Sequence, residues 1–194
     1  MAKPTQARIY QLKITLMGSK PPIWRRLLVS SATTLELLHA ILLRTMGWGG
    51  GHMHQFEGPD GTQYGCPEPD MDYHVTDEGR VRLDRVLRGE KQSMLYLYDF
   101  GDSWEHKVVV EKILDTSEGL AVPACIGGKR ACPPDDCGGI WGYADFLAAI
   151  GDPAHPEHEE MVEWIGGEFD PEEFDPLIVN EILSPAPARK RSAG

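Results

Sequence analysis

The stretch Tyr96-Leu97-Tyr98-Asp99-Phe100-Gly101-Asp102-Ser103-Trp104-Glu105-His106, running on into Val108-Val109-Val110, does most to limit what this chain can fold into. Two β-favouring segments around a short polar turn predict an antiparallel hairpin over 94–99 and 105–114. Such a turn needs only small polar residues. This one carries Asp99 and Asp102, with Trp104 and His106 just past it, so either the fold or a site requires them there.

The same period appears at 9–16. Tyr10, Leu12, Ile14 and Leu16 face one way and Gln11, Lys13 and Thr15 the other, which predicts a half-buried strand. Gly18 to Pro22 is turn chemistry, and 23–30 reads as the returning strand. Thr33-Thr34-Leu35-Glu36 fits a capping box, and Leu35, Leu38, Leu42 and Met46 share one helical face before a terminating Gly47. His39, at the edge of that face, is expected to be a core-rim histidine with a hydrogen-bond partner.

Gly49-Gly50-Gly51 leads into a short strand through His52-Met53-His54-Gln55-Phe56, and 57–79 reads as a surface excursion. One helical turn is expected over 82–87. Past Gly119 a Cys-bearing loop precedes three helices, at 140–150, at 156–165 with Pro156 first, and at 171–183 behind an Asp170 cap. Strands first and helices later argue for an α+β fold. The expectation is an antiparallel sheet of about four to six strands, one N-terminal helix and a C-terminal group of three helices. Residues 1–183 are read as a single domain and 184–194 as a disordered basic tail.

A chain of 194 residues can bury a substantial core. Its formal net charge of −11 makes direct nucleic-acid binding unlikely, because that affinity comes from Lys and Arg displacing counterions. Basic residues do cluster at Trp24-Arg25-Arg26, between Arg80 and Lys91 and in the tail, so a local basic patch stays open. No apolar run approaches the roughly 20 residues that span a bilayer, and the N-terminus lacks a signal-peptide core. The expectation is a cytoplasmic protein with no membrane contact. Cys66, Cys125, Cys132 and Cys137 then read as free thiols or metal ligands. The spacing of Cys125, Cys132 and Cys137 is not that of a zinc ribbon, which leaves zinc binding there open. Pro133-Pro134-Asp135-Asp136 reads as a rigid acidic turn capping the helix that begins near Gly139.

His52 and His54, two apart on a strand, project to one face; His106 lies on a second strand, with Asp99 and Asp102 between. The candidate ligand- or partner-binding set is therefore His52, His54, Asp99, Asp102, Trp104 and His106. Three readings follow. The first is a non-enzymatic binding or accessory module whose His/Asp/Trp-lined pocket takes an unidentified protein or small molecule. The second is a metal-dependent hydrolase or nuclease using His52, His54, Asp99, Asp102 and His106. The third is a DNA-associated recombination accessory factor. Set against all three is plain packing, in which the acids shape the turn, Trp104 lies on the sheet and His106 donates to an acid. No catalytic set is complete, so no catalytic residue, resident metal or cofactor is assigned. The acids from Glu159 to Glu173 read as a solvated face.

Five segments in order resemble the Ri-plasmid Orf-three-like family, also labelled insertion-element passenger TnpR proteins. They are Pro21-Pro22-Ile23-Trp24-Arg25-Arg26, Gly47-Trp48 before His52-x-His54, and Tyr98-Asp99-Phe100-Gly101-Asp102-x-Trp104-x-His106. The others are Cys132-Pro-Pro-Asp-Asp-Cys-Gly-Gly139 with Trp141-Gly142-Tyr143, and Trp164-Ile-Gly-Gly-Glu-Phe-Asp-Pro171. The resemblance spans residues 8–183 and implies a compact α+β domain carried on plasmids and mobile elements, with no particular reaction. Its acidic turn is commonly Pro-Pro-Glu-Asp, where this chain has Asp135, and often lacks a Cys at the place of Cys137. The TnpR label suggests a recombinase, but neither a nucleophilic Ser amid arginines nor a basic helix-turn-helix is evident.

Overall fold

The computed structural model describes residues 7–67, 75–116 and 119–184. Strict alternation makes β1 (Ile9–Leu16), whose Tyr10, Leu12, Ile14 and Leu16 are all buried as expected. It pairs antiparallel with β2 (Trp24–Ser30) on one side and with β7 (Trp104–Leu114) on the other. The hairpin partner of β7 is β6 (Ser93–Tyr98), which in turn pairs with β3 (His54–Glu57). Two short strands, β4 (Gln63–Gly65) and β5 (Thr76–Asp77), extend that edge, and β8 (Ala124–Lys129) closes the other against β2.

The sheet thus has eight strands in the order β5-β4-β3-β6-β7-β1-β2-β8, more than the four to six expected. Nor is it purely antiparallel, because β4 and β5 run parallel. The extra strands are short or irregular: β8 contains Gly127 and Gly128 and meets a register shift between Arg26 and Leu27 of β2. Such segments pair because the sheet offers an edge, not because of their own pattern.

There are five α-helices among the described residues. In α1 (Leu35–Met46) the cap is Thr34, whose hydroxyl accepts from the Leu37 amide, so Glu36 stands one place too early to complete a capping box. Gly47 ends the helix at φ 84°, a left-handed conformation, and donates to the Leu43 carbonyl. The turn expected over 82–87 is α2 (Leu83–Val86). The C-terminal group is α3 (Gly139–Gly151), α4 (His158–Ile165) and α5 (Pro176–Leu183). The last starts five residues later than expected. Pro176 holds Asp175 extended at φ −126°, ψ 116°, so a helix from Pro171 cannot run through. Asp170-Pro171 forms a turn instead, and Asp175 caps α5 through the Leu177 amide.

One sheet face is packed into a core with Leu35, Leu38 and Leu42 of α1 and Tyr143 and Phe146 of α3. The opposite face carries the Arg26–Glu111 ion pair at 2.6 Å, to which Gln11 also donates. Trp24-Arg25-Arg26 is therefore no free basic patch. Arg25 is buried, donating to the carbonyls of Trp24 and Lys129 and to Cys132 Sγ, with Phe174 under its guanidinium. Among the described residues no helix is long and apolar enough to cross a membrane. The tail expected over 184–194 lies, past Ser184, outside the described residues, as does 68–74 of the surface excursion.

Candidate functional site

Three segments meet at one end of the β3–β6–β7 strands. The glycines at 49–51 let the chain bend before β3, leaving His52 at the bend. The turn after β6 holds Asp99 at φ 57°, a left-handed conformation that Asp tolerates better than most residues. There Asp99 accepts from the Gly101 amide at 2.8 Å, and its own amide donates to the Met53 carbonyl at 2.9 Å, which ties the turn to the His52 segment. The third segment, 133–138, is anchored by Trp48, whose indole donates to the Pro133 carbonyl at 2.9 Å.

His52 sits where the three converge. Its Nδ1 lies 3.6 Å from Asp99 Oδ2 and its Nε2 lies 3.1 Å from Asp136 Oδ1. Asp135 stands beside them: the Tyr98 hydroxyl donates to its Oδ2 at 3.4 Å, while its Oδ1 is buried without a hydrogen-bond partner. Burial, with Asp135 beside it, pushes the Tyr98 phenol up to about 12, so it remains a proton donor. One ligand atom from each of His52, Asp135 and Asp136 lies within 4.8 Å of the others. An imidazole and carboxylates at that spacing can hold a divalent cation or pair with a cationic group.

The expected residues have separate fates. His52 and Asp99 meet in this partly exposed cluster, called the mouth below. Asp102 turns to α3 and accepts from the Gly138 amide at 3.0 Å, so the acid expected from 133–136 to cap that helix comes from the hairpin turn instead. His54 belongs to a second cluster, with Nε2 between the Glu78 oxygens at 2.9 and 3.0 Å and its ring stacked 3.4 Å from that of His39. His39, the expected rim histidine, has its Nδ1 2.8 Å from the Tyr96 hydroxyl; burial, with His54 beside it, holds it neutral at about 3.

Trp104 and His106 are enclosed in the core, 1% and 0% exposed. His106 donates from Nδ1 to the Trp104 carbonyl at 3.0 Å, not to an acid, and burial lowers it to about 4. The sheet register explains this. Trp104 pairs with Tyr98 and His106 with Tyr96, so all project to the face covered by the helices, while Leu95, Glu105 and Lys107 on alternate positions are exposed. The alternation Trp104, His106, Val108, Val110 carried that signal in the sequence.

The sequence presents Asp135 and Asp136 as an acidic turn capping a helix, since nothing local shows which carboxylates a loop will bring to a histidine 83 or more positions away. The three clustered cysteines go to separate partners: Cys125 to the Gly127 carbonyl, Cys132 to Arg25 and Met46, and Cys137 to a place beside Asp102. Burial, reinforced by Asp102, pushes the Cys137 thiol up to about 12, the opposite of an activated nucleophile.

A family model described as plasmid pRiA4b ORF-3-like protein matches residues 8–177. The chain is similar to y4hQ of Sinorhizobium fredii, a protein named as uncharacterized, at 37% identity over 161 residues, covering 82% of each chain. It is also similar to the crystal structure of MM3350 from Methanosarcina mazei Go1, described as a protein of unknown function. That match has a TM-score of 0.80 and 38% identity, covering 89% of this chain and 98% of that one.

Proposed function

The chain belongs to the plasmid pRiA4b ORF-3-like protein family, and from that premise we propose that it is a non-enzymatic binding or accessory module whose site is the mouth around His52. The observation that carries this reading is the His52 ring bracketed by Asp99 on one nitrogen and Asp136 on the other. A partly exposed imidazole among carboxylates suits a cationic ligand or the cationic group of a partner. Residues 1–183 act as one unit in this reading, in the cytoplasm of plasmid-bearing cells. His54, Trp104 and His106 of the expected set stiffen the sheet beneath the mouth, and Asp102 fixes its third segment. The four acids Asp99, Asp102, Asp135 and Asp136 disfavour phosphate, so no direct nucleic-acid contact is proposed there.

The test is thermal stabilisation of the full chain by a panel of polyamines, basic peptides and divalent metals, run beside His52→Gln and Asp136→Asn. The expected result is at least one ligand class that raises the Tm of the parent and of neither variant. A panel in which no ligand distinguishes parent from variants contradicts the reading.

The approach of His52, Asp135 and Asp136 favours a second reading, a metal-dependent hydrolase or nuclease, in which His54, Asp102 and His106 take no part. It requires metal-stimulated phosphodiester hydrolysis that disappears in His52→Gln, and no stimulation by manganese or zinc would remove it.

A further inference from the structure

We propose that the mouth is a site for one divalent transition-metal ion of the zinc, manganese or iron(II) class, held by His52 Nε2, Asp136 and Asp135. The inference deepens the binding reading above and rests on it.

Three independent features point to an ion here. The first is spacing. The His52 Nε2 to Asp136 Oδ1 separation of 3.1 Å is close to the roughly 3.0–3.4 Å between neighbouring ligands of an ion bound at about 2.1 Å. The second is the far side of the ring. Metal-ligating histidines almost always offer their other nitrogen to a carboxylate or carbonyl, which fixes ring orientation. Asp99 occupies that position toward Nδ1, held in place by the Gly101 amide. The third is Asp135, which has a ligand atom within 4.8 Å of those of His52 and Asp136 and whose Oδ1 is buried without a hydrogen-bond partner, an acceptor a coordinated cation would satisfy.

Charge argues the same way. Among the described residues no Lys or Arg pairs with Asp99, Asp102, Asp135 or Asp136; their partners are the His52 imidazole, the Tyr98 hydroxyl and the Gly101 and Gly138 amides. One nitrogen and two carboxylates from protein leave the remaining positions to water or to a ligand group. That mixed set favours the borderline transition ions over magnesium and calcium, which take oxygen donors. Asp99 is a positioning residue in this scheme, acting through the imidazole.

The experiment is isothermal titration of the full chain with zinc chloride and manganese chloride, with magnesium chloride alongside. The expected result is one site per chain, with zinc or manganese bound at least tenfold more tightly than magnesium. His52→Gln and Asp136→Asn should each weaken binding by tenfold or more, and Asp99→Asn by about 10- to 100-fold. His155→Gln, on a distant histidine, should change nothing. Circular dichroism melts confirm that each variant is folded, and Asp136, exposed in its loop, gives a variant that keeps the test valid if His52→Gln does not fold. No saturable binding below millimolar metal, or equal binding by parent and both ligand variants, overturns the inference. If polyamines or basic peptides bind in a His52-dependent way while metals do not, the inference fails and the binding reading stands.

Discussion

The Asp102 carboxylate, in the turn between β6 and β7, accepts a hydrogen bond at 3.0 Å from the Gly138 amide immediately ahead of α3. A strand turn thereby satisfies the start of a helix that offers no side-chain cap of its own. The contact spans 36 positions and fixes the segment that carries Asp135 and Asp136. Asp102→Ala should cost about 1–2 kcal/mol, as loss of a helix-end acceptor does, and Asp102→Asn noticeably less. Urea unfolding of the three proteins checks the order.

Gly139 sits against the same turn. It has φ 70°, and a Cβ there would stand 2.3 Å from the Asp102 carbonyl oxygen, a backbone atom with nowhere to go. Gly139→Ala combines left-handed strain with this clash, so the expected loss is about 2–4 kcal/mol. Gly151→Ala, with open space around its Cβ, is the control and should be near neutral by the same measurement.

The core and the mouth should separate cleanly on substitution. Trp104→Ala empties a fully enclosed indole site and should cost about 3–5 kcal/mol. His52→Gln, on a partly exposed side chain, should cost under about 1 kcal/mol. Denaturant midpoints for both test whether these two members of the expected set have different duties.

Acid sensitivity follows from the buried histidine on β7. Burial lowers His106 from 6.5 to about 4, so between those values the unfolded chain binds a proton that the folded protein refuses. Its stabilising share is fully present above pH 6.5 and is lost as pH falls toward 4. The slope approaches about 1.4 kcal/mol per pH unit within that window. His39, lowered to about 3, acts with the same sign over a wider range. A series of urea melts from pH 7.5 to 4.5 should show this fall, and His106→Phe should flatten part of it.

Much of the fold was legible because its signals are local. Alternation marked β1 and the hairpin, and the Thr33-Thr34 pair and Gly47 marked both ends of α1, the first one residue early. β8 was not, because its glycines carry no pattern and its pairing partner lies about 100 positions away. The late start of α5 shows one Asp-Pro step outvoting another: both look alike in sequence, and only Pro176 leaves no further proline to interrupt the helix. At the site, His52 and Asp99 were legible as members of one candidate set, although both fall just outside the strands, at the bend before β3 and in the turn after β6. Asp135 and Asp136 were not, since tertiary packing of 133–138 on Trp48 and Asp102 brings them in. Trp104 and His106 stood in the right motif but on core-facing positions of β7, a distinction their alternation with Val108 and Val110 made available.

The most direct measurement is nitrogen-15 NMR of the imidazole rings, with the His52 signal assigned from His52→Gln and one equivalent of zinc added to the full chain. The account predicts that the His52 Nε2 resonance moves to a metal-bound position while those of His54 and His106 stay where they are. A His52 resonance unmoved by zinc and by every ligand in the cationic panel would contradict it.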